Sequence, residues 1–546
     1  MTSAQVGAPT SAELGPRITS TAWYALALVA LSNAMSLLDR NILAILAPRI
    51  KADLQIGDAE MGLLYGTVFA LFYALFSLPL GRLSDGWIRT RILSISIAFW
   101  SLASGLAAFS NGFAMLAISR LGVGIGEGAT SPAGTSLLFD YFPRQRRGLV
   151  MAAIAAAISV GLGMSSVLGG VAAEWWDNRY AVGAEPLGFA GWQFAFLLAS
   201  IPGLFLAVLL WRLKEPRRGL MDGIETPKDP APFRASAAML GQVTPGTNFL
   251  SLASRRAHPR HWLASIACIV LVVALMTFMI NLTSSFSPRP SLNFGGVPVN
   301  PHVIQWGVMG FGMIVIFNLL QGLSLSDKPT FALIVGSPSL MIAMAVGALQ
   351  TIINYGVMGF TPTFIMQNYG ESPAETGVRF GLLSLLIGVI GPMVAGPLSD
   401  WIEHRLPAAG RVYVTLFALG VSPLVGIWVY HAPDAASFYW RFIPYSFILT
   451  CWMPPLYALI YSLVLPRMRG VTSSTYLIVS TIFGLGIGPY TVGMISDATG
   501  GNLRTAILSV SWVGVPIVIL LLVLAMRVRK DENLMVERAR AAGEPI

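Results

Sequence analysis

Four ionisable residues lie deep inside long apolar runs of this sequence: Asp39, Arg40, Arg120 and Glu127. Two carboxylates and two guanidiniums cancel in formal charge, which is how such groups are tolerated in a medium of low dielectric. A carboxylate placed there can carry a proton, because loss of solvation favours the neutral form. An arginine released from its partner can hold an anionic group of a bound molecule. If the run holding Asp39 crosses outward and the run holding Arg120 crosses inward, the two residues fall at similar depth. At about 1.5 Å per residue, Glu127 then lies roughly 10 Å further along nearly the same helical face as Arg120. Gly124, between them on that face, is expected to leave the surface open. The expectation is a ladder of charges along one wall of a cavity, with Glu127 as proton carrier and Asp39 alternating between Arg40 and Arg120. The alternative for the same residues is a permanent neutral network that only locks the first helix to the fourth.

The elements that position these groups are helices in a bilayer. Of 546 residues, 55% are hydrophobic and 11% charged, against about 25% charged in a soluble domain. A spanning helix needs roughly 20 mostly apolar residues. Windows of that length fall at 22–47, 59–81, 92–112, 113–139, 149–172, 190–212, 262–283, 303–325, 331–367, 376–398, 411–431, 438–464, 471–495 and 504–526. They divide the chain into a tail (1–20), a six-helix bundle (21–213), a polar linker (214–261), an inserted hairpin (262–325), a second six-helix bundle (326–526) and a second tail (527–546). The fold expected is all-α and integral to the membrane, with 14 spans. The polar start of the chain leads into an apolar run too long for a signal peptide, which reads as a retained first span.

The +9 charge balance does not indicate nucleic acid. Arg82, Arg89, Arg91, Arg144, Arg146, Arg147, Lys214, Arg217, Arg255, Arg467 and Arg527 all fall in loops on one side of the spans. Basic loops stay cytoplasmic, so the expectation is an inner-membrane protein with both termini inside. The other side holds few cations, chiefly Arg49, Lys51, Arg179 and Arg289.

The two bundles echo each other. Gly81-Arg-Leu-Ser-Asp85 recurs as Gly396-Pro-Leu-Ser-Asp400, and Phe142-Pro-Arg-Gln-Arg-Arg-Gly148 recurs as Leu465-Pro-Arg-Met-Arg-Gly470. Order, spacing and side agree, as in proteins that rock two parallel repeats about a midplane site.

The sequence resembles the major facilitator superfamily, and within it the spinster-like branch. The loop Gly81-Arg-Leu-Ser-Asp85-Gly-Trp-Ile-Arg89-Thr-Arg91 is similar to that superfamily's signature loop, with Ile88 where the pattern usually has Gly. Leu38-Asp39-Arg40-Asn41, Arg120-Leu-Gly-Val-Gly-Ile-Gly126-Glu127-Gly128, Asp140-Tyr-Phe-Pro143, Gly484-Leu-Gly-Ile-Gly-Pro489 and Gly493-Met-Ile-Ser-Asp497 carry the branch resemblance. It covers roughly 20–213 and 331–526 and omits the inserted pair. The resemblance implies a secondary transporter with Glu127 and Asp39 in proton coupling and Arg40 and Arg120 toward the cargo. It also implies a gating latch of Gly81, Asp85, Arg89 and Arg91, with Asp400 and Arg405 as a degraded second copy. The cargo it implies is lysophospholipid or sphingoid-type. A proton-linked uptake of a small organic acid, such as a sugar acid or aromatic acid, is the alternative.

The second bundle has no charge at mid-depth. Its expected lining is amphipathic: Gln350, Asn354 and Tyr355 on one helix, Trp452, Met453, Tyr457 and Tyr461 on another, with packing as the alternative role. Pro454-Pro455 should bend the latter helix. The five histidines sit in loops or at helix ends without metal-ligand spacing, and no Ser-His-acid cluster lies at membrane depth, so an enzyme, a cofactor and a metal are not expected. The Gly-rich run 122–128 lacks a following Lys and reads as helix packing, not a phosphate loop. Cys268 and Cys451 are unpaired in separate spans. The expected partners are the lipid bilayer, protons and a small-molecule or lipid substrate, with the protein a monomer.

Overall fold

The structure is a computed structural model that describes residues 18–143, 146–180, 185–218, 221, 230–294, 297–465 and 468–544. The first seventeen residues of the expected tail, together with Arg144, Pro466 and Arg467, lie outside the described residues. The chain is built almost wholly of helices. In the first bundle these are α1 (Ser20–Leu54), α2 (Asp58–Gly86), α3 (Arg89–Phe109), α4 (Phe113–Glu127), α5 (Thr130–Tyr141), α6 (Arg147–Arg179) and α7 (Gly191–Arg212). The linker carries α8 (Pro232–Val243) and α9 (Asn248–Ser254), and the inserted hairpin is α10 (Pro259–Phe286) and α11 (Pro301–Ser326). After a short α12 (Lys328–Gly336), the second bundle holds α13 (Pro338–Tyr369), α14 (Pro373–Arg405), α15 (Gly410–Tyr430), α16 (Ala435–Ser462), α17 (Val471–Ala498) and α18 (Leu503–Asn533). A last short helix, α19, covers Met535–Ala541.

Among the described residues, 13 helices are long and apolar enough to cross a membrane. The fourteenth expected crossing is the α4–α5 pair, broken by a turn at Gly128-Ala129. The span expected at 331–367 is two helices, not one. Pro338 has no N–H to continue α12, and the Ser337 side chain accepts from the Leu340 N–H to cap α13 instead. The same device, a capping side chain followed by proline, starts α10 at His258-Pro259, α11 at Asn300-Pro301 and α14 at Ser372-Pro373.

Each bundle has its own apolar core, one running through α1–α7 and the other through α13–α18. The inserted hairpin turns through an antiparallel pair, β1 (Leu292–Phe294) and β2 (Val297–Val299). Its α10 presents Leu263, Val270, Leu271 and Phe278 outward, as a lipid-facing helix does. Its α11 lies against α2 and α17, where a third apolar cluster joins one bundle to the other.

The face that carries the linker is here called the linker face. The bundles meet on the opposite face. There α6 crosses α14 so closely that a Cβ added at Gly163 or at Gly381 would lie 2.5 Å from the other glycine's carbonyl oxygen. Small residues let two membrane helices approach backbone to backbone in this way. Nearby, Glu174 accepts a hydrogen bond from the Ala374 N–H at 3.0 Å.

Candidate functional site

Consecutive residues on a helix point about 100° apart, so Asp39 and Arg40 of α1 address different neighbours. Arg40 turns to α4 and α2. Its Nη2 donates to Glu127 Oε2 at 2.6 Å, and its guanidinium lies 4.4 Å from the Phe69 ring centroid and 4.9 Å from that of Tyr73. Those rings stack on each other at 5.4 Å, giving the cation an aromatic floor beside its carboxylate. Glu127 is fully buried, whereas 10% of the Arg40 side chain stays accessible. Among the described residues, Arg40 Nε and Glu127 Oε1 have no hydrogen-bond partner.

Asp39 turns the other way. Its Oδ1 accepts from Ser104 at 3.2 Å, and its Oδ2 is buried with no hydrogen-bond partner among the described residues. Arg120 Nη1 donates to the Asp39 main-chain carbonyl at 3.0 Å, and the guanidinium lies 5.0 Å from the Phe196 ring. Arg120 Nε and Nη2 are also without hydrogen-bond partners among the described residues. The ladder expected from sequence is thus arranged differently. The ion pair joins Arg40 to Glu127, and Arg120 holds the Asp39 backbone in place of its carboxylate. The open surface expected at Gly124 is closed as well: a Cβ there would lie 2.7 Å from the Phe69 carbonyl oxygen. That close approach brings α4 against α2 and so sets Glu127 beside the Phe69–Tyr73 floor.

The second bundle brings two tyrosines, Tyr355 and Tyr457, within electrostatic reach of this site. Tyr355 of α13 packs against the first bundle's core and lies within electrostatic reach of Arg40. Gln350 is buried, its Nε2 without a hydrogen-bond partner among the described residues, and Asn354 is half-buried. The α16 helix breaks after Thr450 and restarts at Met453, at the expected Pro454-Pro455 position. Trp452 is buried, and Tyr457 lies 5.1 Å from Tyr476 and 6.3 Å from Tyr461, ring centroid to centroid. Sequence reasoning missed Tyr73, Phe69 and Ser104. It also missed Tyr65, whose hydroxyl donates to Asn41 Oδ1 at 2.5 Å. The i, i+4 aromatic spacing of Phe69 and Tyr73 was the available signal.

The loop between α2 and α3 is wired differently from the expected latch. Arg89 is buried and donates to Asp140 Oδ2 at 2.5 Å, Glu215 Oε1 at 2.7 Å and the Ser136 carbonyl at 2.9 Å. Asp85 is exposed, and its carbonyl, not its carboxylate, takes a hydrogen bond from Arg218. Burial and the neighbouring Arg89 push the Arg218 guanidinium below its ordinary value. Arg91 stacks 3.7 Å from the Trp211 ring centroid, and the Gly81 carbonyl accepts from the Ser84 hydroxyl at 2.7 Å. In the second bundle Asp400 pairs with Arg411 at 3.3 Å, while Arg405 lies 4.0 Å over Trp401. The reason is reach: Arg89 opens α3 and points inward onto α5, leaving Asp85 at the surface.

Two bundles of like architecture that meet on one face, the first of them holding a buried charge pair, place the molecule among known proteins. Residues 29–349 match the model of the Major Facilitator Superfamily. This chain belongs to the Major Facilitator Superfamily. Within that superfamily it is 25% identical to an MFS-type efflux pump of Mycolicibacterium smegmatis, over 90% of this chain and 87% of the relative. It is 24% identical to human protein spinster homolog 1, over 87% of this chain and 73% of the relative. The zebrafish (Danio rerio) sphingosine-1-phosphate transporter SPNS2 is 29% identical over 37% of this chain and 38% of its own. The fold of this chain is that of a bacterial homolog of the human lysosomal transporter spinster, crystallised inward-facing and unoccupied. The two agree with a TM-score of 0.65 at 20% identity, over 95% of this chain and 98% of the other. The facilitator architecture expected from the repeats is therefore present, and the protein is a multi-pass membrane transporter of spinster-like kind.

Proposed function

We propose that this facilitator is a proton-linked transporter of an amphiphilic anion, of lysophospholipid or sphingoid-phosphate type, working by alternating access. It sits in the inner membrane as a monomer, with the linker face and both termini cytoplasmic. The observation that carries the reading is the Arg40–Glu127 pair, buried on the carboxylate side and accessible on the arginine side. Removing one partner of a buried pair is unfavourable by about 3–5 kcal/mol, because a charge is left uncompensated. Protonation of Glu127 does this to Arg40. An anionic head entering beside Arg40 restores the balance, so proton and anion are bound together. The aromatic floor below Arg40 and the tyrosines of α13 and α16 offer an apolar surface to a lipid chain. The SPNS2 relative, named for sphingosine-1-phosphate transport, supports the same cargo class. The test is a panel of lysophospholipids, sphingoid phosphates, sugar acids and aromatic acids offered to the protein in liposomes. Transport of a lipid class alone supports the reading, whereas transport confined to sugar or aromatic acids makes the protein an organic-acid symporter.

A further inference from the structure

The inserted hairpin reaches across the seam between the bundles. Arg289, in the loop after α10, pairs with Glu60 of α2 through Nη2 and with Asp497 of α17 through Nη1. Glu60 belongs to the first bundle and Asp497 to the second. The three side chains are 9%, 3% and 18% exposed, so these charges are largely withdrawn from water. Asp497 already ties the seam by accepting the N–H groups of Asp58 at 3.1 Å and Ala59 at 2.7 Å. Without Arg289, Glu60 and Asp497 would confront each other as like charges in a dry contact.

A second contact lies deeper on the same seam. Gln305 of α11 is fully buried; its Nε2 donates to the Gly486 carbonyl at 2.9 Å, and its Oε1 accepts from Thr67 at 2.5 Å. Thr67 closes a π-helical turn in α2, and Gly486 follows one in α17. Such turns recur where membrane and soluble helices do functional work. The hairpin therefore bonds both bundles at two depths on the face where they are closed.

We propose that the inserted hairpin is a working part of the gate on this face. Arg289 clamps α2 to α17 while the face is closed, and it releases Glu60 or Asp497 each time the face opens. A guanidinium tied to both helices cannot follow both when they part. This inference rests on the alternating-access reading above.

The experiment places spin labels at Ala52→Cys and Thr499→Cys, exposed positions on the two sides of the seam, in a Cys268→Ser, Cys451→Ser background in lipid nanodiscs. Distances are measured by pulsed electron resonance across a range of pH. The wild type is expected to show a short and a long distance, and Arg289→Gln is expected to shift their ratio about tenfold toward the long one. Glu60→Gln should shift it in the same direction, and Arg289→Lys should fall between, which keeps the test open if Arg289→Gln does not fold. Two distances in the wild type with an unchanged ratio in folded Arg289→Gln, or in Glu60→Gln should Arg289→Gln not fold, would overturn the gate role alone. A single distance at every pH in wild type and variants alike would overturn alternating access and the gate together.

Discussion

Arg40 and Glu127 meet at 2.6 Å across 87 residues of chain, and the arginine's flat face rests on Phe69 and Tyr73. That single contact joins α1, α2 and α4 and gives the first bundle a charge pair with one accessible end. It differs from the neighbouring Asp39–Arg120 arrangement, in which the arginine bonds a main-chain oxygen.

Glu127→Gln should mimic the protonated carboxyl and leave Arg40 free for an anion. Cargo binding by the wild type is expected to strengthen as pH falls, because proton and anion are bound together. In Glu127→Gln, binding should persist and lose its pH dependence. Binding isotherms at several pH values check this.

Tyr73→Leu removes one ring beneath Arg40 without touching the ion pair. A cation–π contact contributes about 0.5–2 kcal/mol, depending on desolvation. Cargo affinity should fall by a few-fold to about thirtyfold, with expression unchanged.

Arg89→Ala removes the buried guanidinium that Asp140 and Glu215 share. Loss of about 3–5 kcal/mol is expected, seen as aggregation or a lower unfolding temperature in detergent. Asp85→Asn, at an exposed carboxylate, should leave expression and thermal stability near wild type while slowing transport.

Gly124→Leu drives a side chain into the Phe69 backbone, where even a Cβ would lie 2.7 Å from the carbonyl oxygen. Overpacking of this kind destabilises by about 1–3 kcal/mol. Thermal denaturation followed by size exclusion should show the loss, and transport should fall with it, since α4 carries Glu127.

Much of this architecture is legible in the sequence because the bilayer imposes a length on each apolar run and a side on each basic loop. The buried charges are legible for the same reason: an ionisable group in such a run stands out. Their partners are not. Asp39 and Arg40 are neighbours, and which of them faces Glu127 depends on how α1 is rotated against α4, which local composition does not encode. The break at Ser337-Pro338 was readable as a cap followed by proline, yet the continuous hydrophobicity around it conceals it. The π-helical turns at Leu63–Thr67 and Ser480–Leu485 leave no local signature, since they follow from packing between α2, α11 and α17. Arg289 sits in a loop rich in Pro, Ser and Gly, where a lone cation looks solvated until the fold sets it between two acids.

The most direct test of proton coupling reconstitutes the protein in liposomes loaded with a pH-sensitive dye and adds the cargo that the panel identifies. The account predicts cargo-driven proton movement in the wild type and at least a tenfold loss of it in Glu127→Gln, with cargo still bound. Proton movement at the wild-type rate in Glu127→Gln would contradict it, and would leave the Arg40–Glu127 pair as a structural lock between α1 and α4.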